Sequence, residues 1–130
     1  MRIEHVGYMV EDPLQVAAWY CQNLGFRVAR GMQTSPFTHF LLDGSGNSML
    51  EIYNNPAAGV PDYASMDPLV LHVAMDVGDE SIEIVRDRLL AAGATLYSDL
   101  GVTPAGDQLV MLRDPWGLAL LLARRKIPMV

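Results

Sequence analysis

Residues 5 to 13 read HVGYMVEDP, and residues 72 to 80 read HVAMDVGDE. Each stretch opens on a histidine, alternates in the manner of an extended strand, and ends in an acidic turn. The offset, 72 − 5 = 67 residues, is about half the chain, and the segments after each stretch keep the same step. After the first, Asp12 is placed to cap a helix whose first residue is Pro13, with Gln15 completing a capping box. Val16, Tyr20 and Leu24 share one face of that helix, and Gly25 ends it. After the second, Asp79 is placed to cap, Ile82, Val85 and Leu89 share a face, and Gly93 ends the helix. Three strand-like segments come after each helix: 26–32, 37–43 and 47–54, then 94–99, 107–114 and 118–124. The last turn of each set is glycine-bearing, DGSGN in one and DPWG in the other. The intervening 55–68, NPAAGVPDYASMDP, carries prolines and no periodicity and reads as a linker. The pattern predicts an α+β fold of two βαβββ modules, 1–54 and 69–130, forming a single domain over 1–130. A lone module leaves sheet edges and one sheet face uncovered, so two must pair, within a chain or between chains.

Composition narrows the function classes. At 130 residues the chain is long enough for a core without metal or disulfide staples. Its longest apolar run, LALLLA at 118–123, has the length of a strand and not of a membrane span. A net charge of −6 argues against nucleic acid as a partner. No secretion leader opens the sequence, and the single cysteine, Cys21, fits a reducing compartment, so a cytoplasmic location is expected. Cys21 itself, beside Trp19 and Tyr20, reads as core. Arg124, Arg125 and Lys126 read as a solvated strand end.

The opening IEHVGYMVEDP with LGFRV, the strand LEIYNN, then LHVAMDV and the closing LRDPWG together resemble the vicinal oxygen chelate superfamily. That group holds glyoxalase I, methylmalonyl-CoA epimerase, extradiol dioxygenases and the fosfomycin and bleomycin resistance proteins, and the resemblance is nearest the glyoxalase I-like branch. It covers essentially the whole chain and implies a curled mixed sheet around a concave site. It also implies divalent-metal ligands on the first and last strand of each module. On this sequence the matching residues are His5, Glu51 and His72, and the fourth position, a carboxylate in the family's enzymes, is Leu121.

Leucine neither ligates nor transfers a proton, which sets the orthodox activities of the family at odds with this chain. Two imidazoles and one carboxylate suit zinc, nickel, iron or manganese. Glu51 would then be a ligand, or would stay unmetallated and act as the catalytic base. The alternative is a metal-free trio in which Glu51 accepts from both histidines. Tyr53, Met49, Met75, Leu121 and Arg113 are candidate substrate contacts; Tyr8 and Met111 can line a pocket or fill the core. Arg113 and Trp116 flank the last turn, where a packing role competes with anion binding. The facing of His39 stays open, since both parities of its strand are apolar. Two readings stand. One is a metal-dependent lyase or isomerase acting on a small oxygen-chelating substrate. The other is a metal-free, bleomycin-resistance-like protein that binds a small ligand. A homodimer is expected under either.

Overall fold

A computed structural model describes residues 1–129. The chain divides into two compact units, Met1–Pro61 and the residues from Asp62 onward, so the boundary falls inside the expected linker.

The first unit runs β1 (His5–Met9), α1 (Pro13–Leu24), β2 (Arg27–Gly31), β3 (His39–Leu42) and β4 (Met49–Tyr53). Its sheet order is β1-β4-β3-β2, with β1 parallel to β4 and the other pairs antiparallel. The helix begins and ends as its sequence signals dictate. Asp12 accepts from the Gln15 amide at 3.1 Å, Pro13 fills the first turn, and Gly25 closes the helix in the left-handed conformation at φ 72°. Val16, Ala17 and Tyr20 of α1 are buried together with Leu41, Leu50 and Ile52 of the sheet. Each large apolar side chain buried this way contributes about 1.5–3 kcal/mol before entropy.

The second unit opens with a short 3₁₀ turn, Tyr63–Ser65, then β5 (Val73–Asp76), α2 (Ile82–Ala91), β6 (Thr95–Val102), β7 (Gln108–Arg113) and β8 (Ala119–Arg124). The sheet order β5-β8-β7-β6 repeats that of the first unit, again with one parallel pair, β5 and β8. Ile82, Val85 and Leu89 of α2 are buried, as are Val110, Leu112, Leu120 and Leu122 on β7 and β8. Each unit is therefore one βαβββ module, as the repeat predicts.

Three local expectations are corrected. The N-cap position of the second helix is Ser81, without a side-chain cap, and not Asp79, because residues 78–80 lie in a turn before the helix in which Asp76 accepts from the Gly78 amide at 3.0 Å. The second module, expected to begin at residue 69, has its first strand only from Val73, with Leu69, Val70 and Leu71 exposed before it. The second half of the expected linker is structured. Arg113 donates to the carbonyls of Tyr63 (2.9 Å), Met66 (2.7 Å) and Gly117 (2.9 Å) and so ties 63–66 to the sheet.

Candidate functional site

Strand pairing decides which side chains share a face, since residues in register point the same way. In the first unit Leu50 and Ile52 face α1, so Met49, Glu51 and Tyr53 occupy the opposite, open face. On β1 the register His5↔Met49 and Gly7↔Glu51 puts His5 and Gly7 on that same open face. On β3 Phe40 pairs with Glu51 and joins them. His39, whose facing the sequence leaves open, pairs with Ile52 and is buried, its Nδ1 donating to the Phe37 carbonyl at 2.7 Å. It takes no part in the open face.

Here the fold brings two of the expected ligands together. His5 Nε2 stands 3.4 Å from Glu51 Oε2. That is longer than a good hydrogen bond. It also matches the edge of a tetrahedron whose metal–ligand bonds are about 2.0–2.1 Å. His5 Nδ1 is held by the neighbouring Glu4 carboxylate, and Phe40 meets the imidazole edge-on at 5.6 Å between centroids. The hydrogen bond to Glu4, with the charges of Glu4 and Glu51, raises the His5 pKa above its ordinary value despite some desolvation. Glu51 and Tyr53 line a recess of about 420 Å³ with Ser35, Thr38 and Asn55.

The third expected ligand, His72, belongs to the second unit and lies just before β5. Its Nδ1 stands 2.7 Å from the Pro68 carbonyl. A carbonyl only accepts, so Nδ1 carries the proton and Nε2 of the neutral ring keeps its lone pair for a ligand. His72 lies at the wall of a groove of about 510 Å³, lined chiefly by Leu109, Met111, Leu121, Val102 and Tyr97. Leu121 pairs with Met111 and with Ala74, all on the open face of this sheet.

Two candidate substrate contacts lie away from the groove lining. Met75 pairs with Leu122 and shares the face that packs on α2, opposite to Leu121. Arg113 donates to three backbone carbonyls, its guanidinium stacks 5.3 Å above the Tyr97 ring, and it is not among the groove-lining residues, so the packing role is the one the structure describes. Tyr8 is buried core.

The donors are of types that suit a divalent metal; His5 and Glu51 stand together in the first unit, and His72 belongs to the second. A carboxylate or carbonyl on the far nitrogen of each histidine is the usual way a metal-binding imidazole is held. Among the described residues no group of three or more His, Cys, Asp or Glu side chains stands together as a metal set. Sequence reasoning passed over Glu4 and Gly7. Glu4 was legible as the residue beside His5, whereas the role of Gly7 appears only once strand register is known.

Comparison with known proteins gives a consistent answer. The sequence profile of the Glyoxalase/Bleomycin resistance protein/Dioxygenase superfamily matches residues 2–122. The fold is similar to a glyoxalase family protein from Bacillus cereus, with TM-score 0.81 and 17% identity over 96% of this chain and 94% of that one. It is also similar to a glyoxalase/bleomycin resistance protein/dioxygenase family enzyme from Burkholderia phytofirmans PsJN, with TM-score 0.72, 19% identity and coverage of 96% and 99%. TioX from Micromonospora sp. ML1 matches with TM-score 0.69, 20% identity and coverage of 96% and 99%. No curated protein matches the chain. No helix among the described residues is long and apolar enough to cross a membrane.

Proposed function

The chain belongs to the glyoxalase/bleomycin resistance protein/dioxygenase superfamily, and on that premise we propose that it binds one divalent metal through His5, Glu51 and His72. In this reading it acts as a lyase or isomerase on a small substrate bearing adjacent oxygens. The observation that carries the reading is the Glu4–His5–Glu51 chain, in which one imidazole nitrogen is held by a carboxylate and the other faces Glu51 at 3.4 Å. When bound, the ion supplies Lewis acidity toward the paired oxygens of the substrate. Glu51 is the carboxylate on the open face of β1, β3 and β4, and with leucine at 121 it is the group that, where it stays off the metal, would hold a proton beside the reacting carbon. Tyr53 and Thr38, on the same recess as Glu51, offer hydroxyls to orient the substrate. The exposed edge strand β2 and the exposed Leu69, Val70 and Val102 support a homodimer.

A second reading has its own support. The apolar groove that includes Leu121 and Met111 suits a protein that binds a small ligand without transforming it. Metal content by mass spectrometry separates the two, on protein carrying no histidine tag and beside His5→Ala and His72→Ala. Near-stoichiometric metal that both substitutions abolish supports the first reading. Protein that holds no metal and takes none up on titration sinks it.

A further inference from the structure

One wall of the recess beside Glu51 is a strained turn held by hydrogen bonds. Phe37, between the lining residues Pro36 and Thr38, sits at φ 55°, a left-handed conformation that a bulky side chain rarely adopts. Four contacts hold the turn. The Phe37 amide donates to the Thr34 carbonyl at 2.7 Å, the Met32 amide to that of Thr38 at 2.9 Å and the Asn54 amide to that of Pro36 at 2.8 Å. His39, which the metal reading leaves unused, supplies the fourth, its Nδ1 donating to the Phe37 carbonyl at 2.7 Å from a buried ring. The ring has its place because residue 31 is glycine: a Cβ there would stand 2.8 Å from His39 Nε2. These bonds engage the backbone of the turn and leave its side-chain hydroxyls out.

The side chains of the recess are mostly neutral hydrogen-bonding groups. Among the described residues no hydrogen bond within the chain occupies the hydroxyls of Ser35, Thr38 or Tyr53. Asn55 Oδ1 accepts from the Ala57 amide at 3.0 Å, so its NH2 group is left as a donor. Glu51 is the one charged residue of the lining, an acceptor with two oxygens. Arg30 shares the open face through its pairing with Phe40 but stands two strand spacings, roughly 10 Å, from Glu51. It is not part of the lining. A ligand that matches this set carries several hydroxyls, each able to donate and accept, with two adjacent ones for the carboxylate. A carboxylate or phosphate on the ligand would meet Glu51 with no cation in the lining. An apolar ligand would leave the donors and acceptors it covers without partners. At about 420 Å³ the recess has room for a six-membered ring.

We propose that this recess binds a neutral polyhydroxylated molecule, a sugar or cyclic polyol, with adjacent hydroxyls at Glu51 and others at Ser35, Thr38, Tyr53 and Asn55. The proposal names the substrate class for the site at Glu51 and rests on the reading above for the chemistry there. The recess itself lies wholly within the first unit, so its occupation is testable without metal.

The full chain, at pH 7 in excess chelator, is titrated with myo-inositol, quinate and cyclohexanol and followed by amide NMR shifts. Inositol is expected to bind saturably, with shifts concentrated at Ser35, Thr38 and Asn55. It should bind about tenfold more tightly than cyclohexanol, which keeps the ring and one hydroxyl, and than quinate, which adds a carboxylate. Ser35→Ala and Thr38→Val each remove one accessible hydroxyl. Each should weaken inositol about 2- to 10-fold, the net worth of one hydrogen bond, with thermal melts unchanged. Metal uptake by the same protein without chelator tells the two readings apart. Inositol binding without metal uptake supports this assignment, whereas metal uptake without a saturable inositol shift overturns it. Quinate or cyclohexanol binding as tightly as inositol, or an inositol affinity indifferent to both substitutions, would overturn it as well.

Discussion

Gly7 lies directly beneath the Glu51 carboxylate: a Cβ built on residue 7 would stand 2.8 Å from Glu51 Oε2. The pair is in register across the parallel β1–β4 ladder, so the missing side chain of one residue is the space that the carboxylate of the other occupies. Gly7→Ala therefore acts on the site and hardly on the fold. The displaced atom is the end of a flexible side chain, and alanine suits a strand at least as well as glycine, so stability should change by less than about 1 kcal/mol. Metal uptake should weaken all the same, because Glu51 Oε2 leaves its position facing His5. Equilibrium dialysis beside a thermal melt checks both halves, and unchanged uptake would remove Glu51 from the ligand set.

Glu4 orients His5 through Nδ1. Replacing it with glutamine keeps the size and removes the carboxylate whose hydrogen bond, foremost, and charge raise the His5 pKa. The NMR titration midpoint of the His5 ring should move down in Glu4→Gln. Metal affinity should fall about 10- to 100-fold, the usual effect of losing the group behind a ligating imidazole. A midpoint that stays where it is in the parent protein would show that Glu4 does not hold the ring in solution.

The DPWG turn is built to a close tolerance. Asp114 accepts from the amides of Trp116 (2.9 Å) and Leu118 (3.0 Å), and Gly117 sits at φ 94° with a would-be Cβ 2.7 Å from the Ala64 amide nitrogen. Gly117→Ala faces both an unfavourable backbone conformation and a backbone neighbour that cannot yield. It should cost about 3 kcal/mol, read as a lowered urea midpoint. Hydrogen exchange should rise at 63–66, the segment that Arg113 ties to the same turn.

Acid should loosen the end of the chain first. Asp107 accepts from the Lys126 amide at 3.0 Å and from Arg125 at 2.9 Å, and these contacts, the amide foremost, hold its carboxyl below the usual range. A folded-state pKa below the unfolded one, about 3.9 for aspartate, means stabilisation that is present above that unfolded value. It is lost as pH falls through the lower folded value. Asp62, held down chiefly by the Ser65 hydroxyl, and Asp99, held down chiefly by the Leu100 amide, act with the same sign. Urea midpoints measured from pH 6 downward should decline through this window, and Asp107→Asn should flatten the decline. Parallel profiles for the two proteins would exclude Asp107 as a contributor.

What the sequence determined by itself was whatever depends on near neighbours along the chain. The repeat of HVGYMVEDP in HVAMDVGDE announced two modules, and caps, apolar faces and glycine-bearing turns placed the elements within a few residues, because periods of 2 and 3.6 and the caps are local properties. The same alternation put Glu51 with Met49 and Tyr53. What only the tertiary structure decided depends on partners remote in sequence. Ladder register set Glu51 over Gly7 and beside His5 and sent His39 inward. The carbonyls of Tyr63, Met66 and Gly117 claimed Arg113, and the turn after Pro68 fixed which nitrogen of His72 is bare. Hydrogen bonds and strand register act across space, and the spacing of residues along the chain does not encode which acceptor a donor will meet.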